Sequence, residues 1–244
     1  MPFYADMKKR VRTTLPRFPI DKFPVLKTER LLLRVLTQDD LQALHVLQLM
    51  PEYMAETGGG QPVADLAGSQ AWLDCMLEES SRPHFIFGIF LAATGELIGD
   101  CGVHSVHGTR LGRPAIYYKL DPAHRRRGYA TEAMAALLRA WWNLPREEVE
   151  VEAHPASIQT KTKTTTGEGG VDGHGVKETA EKKDTIISSP ERVVAEIAAY
   201  NTASRRVVEK LGFEDIESWE EPDSRLHNFG KLILIGHYAL SRPS

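Results

Sequence analysis

Tyr117-Tyr118-Lys119-Leu120-Asp121-Pro122-Ala123-His124-Arg125-Arg126-Arg127-Gly128-Tyr129-Ala130-Thr131-Glu132-Ala133 reads as a strand that runs through a basic, glycine-bearing turn into a helix. Such a junction suits a phosphorylated ligand. The unpaired N–H groups and positive dipole end of a helix N-terminus attract anions, and a turn that points successive N–H groups inward adds a concave nest. Gly128 can take a positive φ and lets the backbone approach a phosphate that a Cβ would hold off. Ala130 keeps the next turn small, and three arginines add charge.

Downstream comes Asn201-Thr202-Ala203-Ser204-Arg205-Arg206-Val207-Val208-Glu209-Lys210-Leu211-Gly212-Phe213, and upstream an opening of the TERLxLR kind spans Thr28 to Arg34. Arg125, Gly128 and Ala130 have the RxxGxA spacing of the pyrophosphate loop of the GCN5-related N-acetyltransferases (GNAT), which the first stretch resembles. The Asn201 segment is similar to the NxxSxxxxxKxGF signature of the RimJ/RimL-like branch of that superfamily. Either pattern alone is weak. In this order, and after the Thr28 opening, they carry a resemblance that covers Thr28 to Leu240 with one interruption.

Composition is compatible with this and does not produce it. With 244 residues, 42% hydrophobic and 26% charged, the chain can bury one substantial core. A net charge of −3 supplies no global basic field for nucleic acid or an anionic membrane. Two cysteines, Cys75 and Cys101, do not make a disulfide framework and fit a reduced, cytoplasmic setting. No apolar run approaches the roughly 20 residues that span a bilayer. Residues 1–24 form an N-terminal extension that is basic through Lys8, Lys9, Arg10, Arg12 and Arg17. A cleaved organellar presequence is the alternative there, and Pro2, Pro16, Pro19 and Pro24 work against its amphipathic helix.

Periodicity fills in the elements. Arg30 to Leu36 alternates as a strand, and Asp39 to Met50 has apolar residues at helical spacing. Ser69 is placed to cap a second helix reaching Glu79, and Glu56 to Pro62 is a loop by composition; the resemblance implies that this region helps wall the acceptor site, and a plain connector is the alternative. Phe85 to Leu91 and Glu96 to Val103 form a hairpin across Ala93-Thr94-Gly95, and Pro114 to Leu120 is the next strand. Ala130, Ala133, Met134, Leu137, Leu138 and Trp141 make an apolar stripe on the helix that follows, which marks packing and not a cofactor box. Arg192 to Ala199 alternates and leads into the Asn201 to Leu211 helix, stopped by Gly212; Lys231 to Leu240 pairs with a strand near Phe213 to Trp219. The expected fold is α/β (α+β): a mixed, mostly antiparallel twisted sheet of six to seven strands flanked by helices. A single domain spans 25–240.

That domain is interrupted at about 156–190 by threonines, glycines and mixed charge that cannot bury enough surface to offset their ordering entropy, so a disordered insertion is expected. Loop closure costs little more as length grows. Glu147 to Ala153 also alternates and competes for the fifth strand. Arg192 to Ala199 is preferred because it abuts Asn201.

The resemblance implies acetyl-CoA as co-substrate and a primary amine as acceptor, on a peptide N-terminus or a small molecule. Its implied cofactor contacts are Leu120, Arg125, Arg126, Arg127, Gly128, Tyr129, Ala130, Thr131, Asn201 and Arg205, with the Leu120 backbone at the thioester end. It also implies that the sheet splays open between Leu120 and Arg192 so that pantetheine pairs along the edge. Ser204 is the matching proton donor to the departing thiolate, or else a residue that bonds its own helical turn. Many branches use a tyrosine on this helix, but Tyr200 precedes it and by spacing points elsewhere.

The base is less defined. An α-amine with pKa near 7.7–8.0 is roughly 10% unprotonated at pH 7, whereas a lysine near 10.4 is on the order of 0.04%. Water relayed to Glu56, Asp100 or His104 would serve the former, and Glu56 is preferred from its loop position. His104, His107 and His124 raise the question of zinc, but neither CxxC nor HExxH is present and no metal is expected. A non-catalytic acyl-CoA sensor or scaffold is the alternative class. A nucleotide fold lacks its GxGxxG or GxxxxGK[ST] loop. Oligomeric state is not legible.

Overall fold

In the computed structural model, which describes residues 8–18, 20, 23–57, 59–78, 85–106, 110–158, 186–223, 225 and 228–243, the chain begins with β1 (Lys9–Pro16), β2 (Leu26–Lys27) and β3 (Leu31–Arg34). Three helices follow, α1 (Leu41–Gln48), α2 (Pro51–Met54) and α3 (Leu66–Leu77). Next come β4 (Phe85–Leu91), β5 (Leu97–Ser105), β6 (Ala115–Leu120), α4 (Tyr129–Asn143), β7 (Arg146–Ala153) and α5 (Pro155–Ile158). The last elements are β8 (Ile187–Ser188), β9 (Arg192–Ala198), α6 (Thr202–Lys210), β10 (Glu214–Pro222) and β11 (Leu232–Ser241).

Eight strands form the main sheet in the order β10-β11-β9-β6-β5-β4-β3-β2, antiparallel throughout except where β6 meets β9. This is the mixed, mostly antiparallel sheet expected. The β4 sequence FIFGIFL is a continuous apolar run because this central strand is covered on both faces. On one face α4 lays down the stripe read from sequence: Ala133, Met134, Leu137 and Trp141 are fully buried against Leu31, Leu33, Phe87 and Ile98. Leu44, Leu47, Tyr53 and Leu73 of the first three helices cover the other face through Phe90 and Leu97.

Helix starts follow their caps. Asp65, not Ser69, caps α3 by accepting the Gly68 N–H at 2.9 Å, so the helix begins earlier than expected. Ser69 is instead fully buried, its Oγ sharing a 2.9 Å hydrogen bond with His45 Nδ1 of α1. A serine in the first helical turn fits the cap pattern equally well by composition. What distinguishes the two is the face that packs on α1.

Both competing strands form. β9 adjoins β6 as preferred, while Arg146–Ala153 pairs antiparallel with β1, from Lys9 opposite Ala153 to Pro16 opposite Arg146. The N-terminal segment therefore contributes a strand to a second sheet, β7-β1-β8, with Val11 and Leu15 buried. Glu191 anchors it, accepting from Thr14 Oγ1 and Arg146 Nε, each at 2.9 Å. Residues 159–185, the middle of the expected insertion, lie outside the described residues. Its flanks are fixed: Ser157 Oγ donates to the Leu111 carbonyl (3.1 Å) and Arg113 Nη2 to Ser189 Oγ (2.6 Å). No helix among the described residues is long and apolar enough to cross a membrane.

Candidate active site

β6 and β9 touch at one parallel bridge, Ala115 with Val194, closed by the Val194 N–H to Pro114 carbonyl bond of 2.8 Å. Beyond it the strands separate. The Asp121 N–H donates to the Ile98 carbonyl of β5 at 2.8 Å, so alternation along the strand turns the main-chain groups of Tyr118 and Leu120 the other way, into the opening. The Tyr118 hydroxyl reaches over it, donating to the Ser204 carbonyl of α6 at 3.0 Å. Burial pushes the Tyr118 phenol up to about 12, against the lowering effect of that bond.

The basic turn closes the α4 end of the opening. Arg126 is the one non-glycine with positive φ among the described residues (63°), and Gly128 is the N-cap of α4 at φ 83°. The first backbone bond of the helix runs from Glu132 N–H to Gly128 carbonyl, which leaves the N–H groups of Tyr129, Ala130 and Thr131 without a helical acceptor. Free N–H groups at a helix start are the feature expected of this turn.

The Thr28 opening has a physical role here that the sequence did not disclose. Arg30 Nε donates to Glu132 Oε2 (2.7 Å) and Arg30 Nη1 to the Arg127 carbonyl (3.0 Å), while Thr28 Oγ1 donates to Glu132 Oε1 (2.5 Å). The guanidinium also stacks 4.6 Å from the Tyr129 ring centroid. Desolvation pushes the Glu132 carboxyl up, but the hydrogen bonds from Thr28 and Arg30 outweigh it and leave it below its ordinary value. The two distant motifs are thus one brace around the turn.

α6 supplies the opposite wall. Asn201 is its N-cap, its Oδ1 accepting the Ser204 N–H at 3.1 Å, and Ser204 sits in the first turn. Arg205 keeps a buried Nε that has no hydrogen-bond partner among the described residues. On the sheet face beneath α2, Asp100 is buried, accepts the Tyr53 hydroxyl and pairs with Lys119 Nζ at 3.1 Å. The Lys119 ammonium lies 4.7 Å from the Tyr53 ring centroid. Asp100 is therefore held inside the sheet–helix interface.

Glu56 stands on that same side, following α2, and reaches across the opening. The Tyr200 hydroxyl donates to both its oxygens (3.1 and 3.3 Å), and Arg225 Nη1 donates to Oε2 (3.1 Å). Arg225 is itself buried on Asp223 through Nε to Oδ1 (2.8 Å) and Nη2 to Oδ2 (2.6 Å), and its guanidinium lies 5.2 Å from the Tyr200 ring centroid. Two carboxylates and one guanidinium leave this mouth net anionic.

Among the described residues, His104 and His124 have separate partners. His104 packs beside Tyr117, and His107 lies outside the described residues. His124 meets Asp121 (3.2 Å) and faces Glu96 (3.9 Å); these three are the one group among the described residues close enough to share an ion.

Residues 30–214 match the model of the acetyltransferase (GNAT) domain family, which is most of the chain. The chain belongs to the GNAT family. A curated relative, the uncharacterized N-acetyltransferase YoaA of Bacillus subtilis (strain 168), is 30% identical over 117 residues, covering 48% of this chain. The match spans 65% of that relative's length. Among solved structures, a GNAT-family acetyltransferase from Bacillus anthracis superposes with a TM-score of 0.59 at 18% identity, over 90% of this chain and 99% of its own. RimL, a ribosomal L7/L12 alpha-N-protein acetyltransferase solved in complex with coenzyme A, gives 0.58 at 16% identity, over 89% and 98%.

Within this GNAT domain, Gly128 is the N-cap of α4 and Asn201 the N-cap of α6, with Ser204 and Arg205 in the first turn of α6. Tyr200 precedes α6, and its hydroxyl points at Glu56, a contact that its spacing did not disclose. Asp223 and Arg225 were not singled out at all; their only signal was a charged pair in a hairpin connection, a common surface composition.

Proposed function

We propose that this chain transfers the acetyl group of acetyl-CoA to a primary amine by direct attack in a ternary complex in the cytoplasm, with a protein N-terminal amine as the favoured acceptor. The observation that carries the reading is the opening between β6 and β9, with the Leu120 main chain facing it beside the donor-rich N-terminus of α4. The residues fit the co-substrate. The Tyr118 main chain and the Leu120 N–H offer a strand edge to a pantetheine arm, while the Leu120 carbonyl is held by Arg125 Nε; the N–H groups after Gly128 suit a pyrophosphate, and the orphaned Nε of Arg205 suits an anion. Acetyl-CoA supplies the activated acetyl thioester. The Leu120 N–H faces the region where oxyanion charge would develop, already aligned to stabilise it.

The acceptor reading rests on charge and pKa together. A net anionic, tyrosine-edged mouth suits an ammonium, and an α-amine, roughly 10% neutral at pH 7, needs no strong base. That matters because Glu56 is shared between Arg225 and Tyr200 and Asp100 is enclosed. Glu56 then acts by orienting the amine and taking its proton through water. Ser204, in the first turn of α6, returns a proton to the leaving thiolate. The RimJ/RimL-like spacing from Asn201 to Phe213 supports the same acceptor class. Cys75 and Cys101 are not joined in a disulfide, consistent with a reducing compartment.

Thiol release is the test, with acetyl-CoA and short peptides bearing free or blocked N-termini beside small amines. We expect turnover only with free α-amines. Ser204→Ala should lower kcat by roughly 100-fold while leaving acetyl-CoA affinity intact. Turnover confined to small amines would redirect the acceptor assignment, and binding without any turnover would make the chain an acyl-CoA sensor.

A further inference from the structure

Arg125 has the motif position of a phosphate-turn arginine, yet its guanidinium is committed to two carbonyls. Nε donates to Leu120 O at 3.1 Å, and Nη2 donates to Glu52 O at 2.6 Å. The first carbonyl ends β6 and faces the opening. The second belongs to α2, a four-residue helix too short to satisfy its own carbonyls through i+4 donors. Two residues after α2 comes Glu56, held by Tyr200 and Arg225 at the other mouth. One side chain therefore joins the turn that would carry the pyrophosphate to the segment that walls the acceptor. A guanidinium can hold both carbonyls at once because its donors form a rigid planar fork; a lysine ammonium on the same stem could reach only one well.

We propose that Arg125 is a positioning residue that couples occupancy of the cofactor turn to the ordering of the acceptor wall at 51–57. It does so through the two carbonyls and not by contacting phosphate. The backbone after it turns away, Arg126 being at φ 63°; all three arginines of the turn are exposed, and Arg125 differs in having its guanidinium bonded to two carbonyls. The coupling gives the site an order of events. With the turn filled, Leu120 and α2 are held in fixed relation, and the wall is set for an amine; with the turn empty, the wall is looser. This inference rests on the acetyl-CoA reading above.

The test uses the full chain, coenzyme A as the probe, calorimetry for affinity, and amide hydrogen exchange at 51–57 and 125–132 for coupling. In the wild type, coenzyme A should slow exchange at both segments. In Arg125→Met, affinity should change by less than about three-fold and 125–132 should still respond, while 51–57 exchanges about ten-fold faster and no longer responds. Arg125→Lys, which keeps one carbonyl, should restore part of the response. A merely structural loss would speed exchange at 51–57 without abolishing its response to coenzyme A. A response at 51–57 retained in Arg125→Met overturns the proposal, as does a ten-fold or greater loss of affinity with unchanged exchange at 51–57, which would make Arg125 a phosphate ligand. A wild type that binds coenzyme A with no change at 51–57 overturns this inference alone. A wild type that does not bind removes the acetyl-CoA reading with it.

Discussion

On the α4 side of the opening, nearly everything that suits a pyrophosphate comes from one run of chain, Leu120 to Glu132, with a single brace from Thr28 and Arg30. On the other side, Glu56, Tyr200 and Arg225 meet from segments 144 and 169 residues apart. The first arrangement is set by local backbone: an N-cap glycine at positive φ and a helix whose first N–H groups point outward. The second exists only when α2, the end of β9 and the β10–β11 connection are all in place. A local site should therefore fail by local chemistry, and an assembled one by loosening of its supports.

The largest effect is expected where the local side is broken directly. Gly128→Glu forces a side chain into a left-handed position, 3.4 Å from Arg30 Nη2, and sets a carboxylate where an anion should bind. Coenzyme A affinity measured by calorimetry should fall by about a thousand-fold, near 4 kcal/mol. Retention of affinity in a folded variant would show that the turn is not the pyrophosphate site.

The next prediction loosens the assembled side through its support. His237 of β11 is fully buried, and its ring stacks 3.5 Å from Trp219 of β10. Burial, with smaller contributions from nearby His154 and Arg110, lowers its pKa to about 4 despite backbone contacts at Glu217 and Ile235 that favour the cation. The unfolded chain takes up this proton near the ordinary value of 6.5, and the folded chain not until about 4. Stability should then fall as pH drops across that window, by up to about 3 kcal/mol, and be flat in this contribution above it. Denaturant melts of His237→Phe, which keeps the stack, should lack the decline; an equal decline in the variant would remove His237 as its source.

A smaller loss is expected from the brace. Glu132→Gln keeps the shape but gives up the charge shared with Thr28 and Arg30, and should lower Tm by about 2–4 °C at neutral pH. Because the Glu132 pKa is lowered on folding, its stabilisation is complete above the ordinary 4.5 and disappears as pH falls through the folded value. Wild type and variant should converge in acid. A gap of unchanged size down to the acid unfolding limit would mean that packing, and not charge, holds the brace.

The same contrast explains what was legible. Trp141 and Met134 announced their buried face because helical spacing is a local property, and Gly128 announced a left-handed turn at the start of α4 for the same reason. Arg192–Ala198 could be chosen over Arg146–Ala153 because it abuts the α6 cap, but nothing local in Arg146–Ala153 said that Lys9–Pro16 would be its partner. Asp65 and Ser69 are both good caps by type, and only the packing of Ser69 against His45 decides between them. The Thr28–Arg30–Glu132 brace was visible as two patterns and invisible as one contact. Tyr200 was judged by its helix register, whereas its position depends on where β9 ends and where the Glu56 loop arrives.

Tyr200 also gives the finest test of that judgement. It is 56% exposed, and its hydroxyl meets a carboxylate that Arg225 also holds, so the bond is worth little by itself. With the hydroxyl removed, Glu56 remains on Arg225 and the aromatic edge stays over the guanidinium. Tyr200→Phe should therefore raise the acceptor KM about two- to three-fold, leave kcat near wild type and leave coenzyme A affinity unchanged. The opposite pattern, a kcat lowered ten-fold or more at constant KM, would mean that this phenol and not Ser204 delivers the proton to the thiolate. Tyr200 would then have two roles, and Glu56 would be the residue that orients the proton donor, not the one that receives the amine.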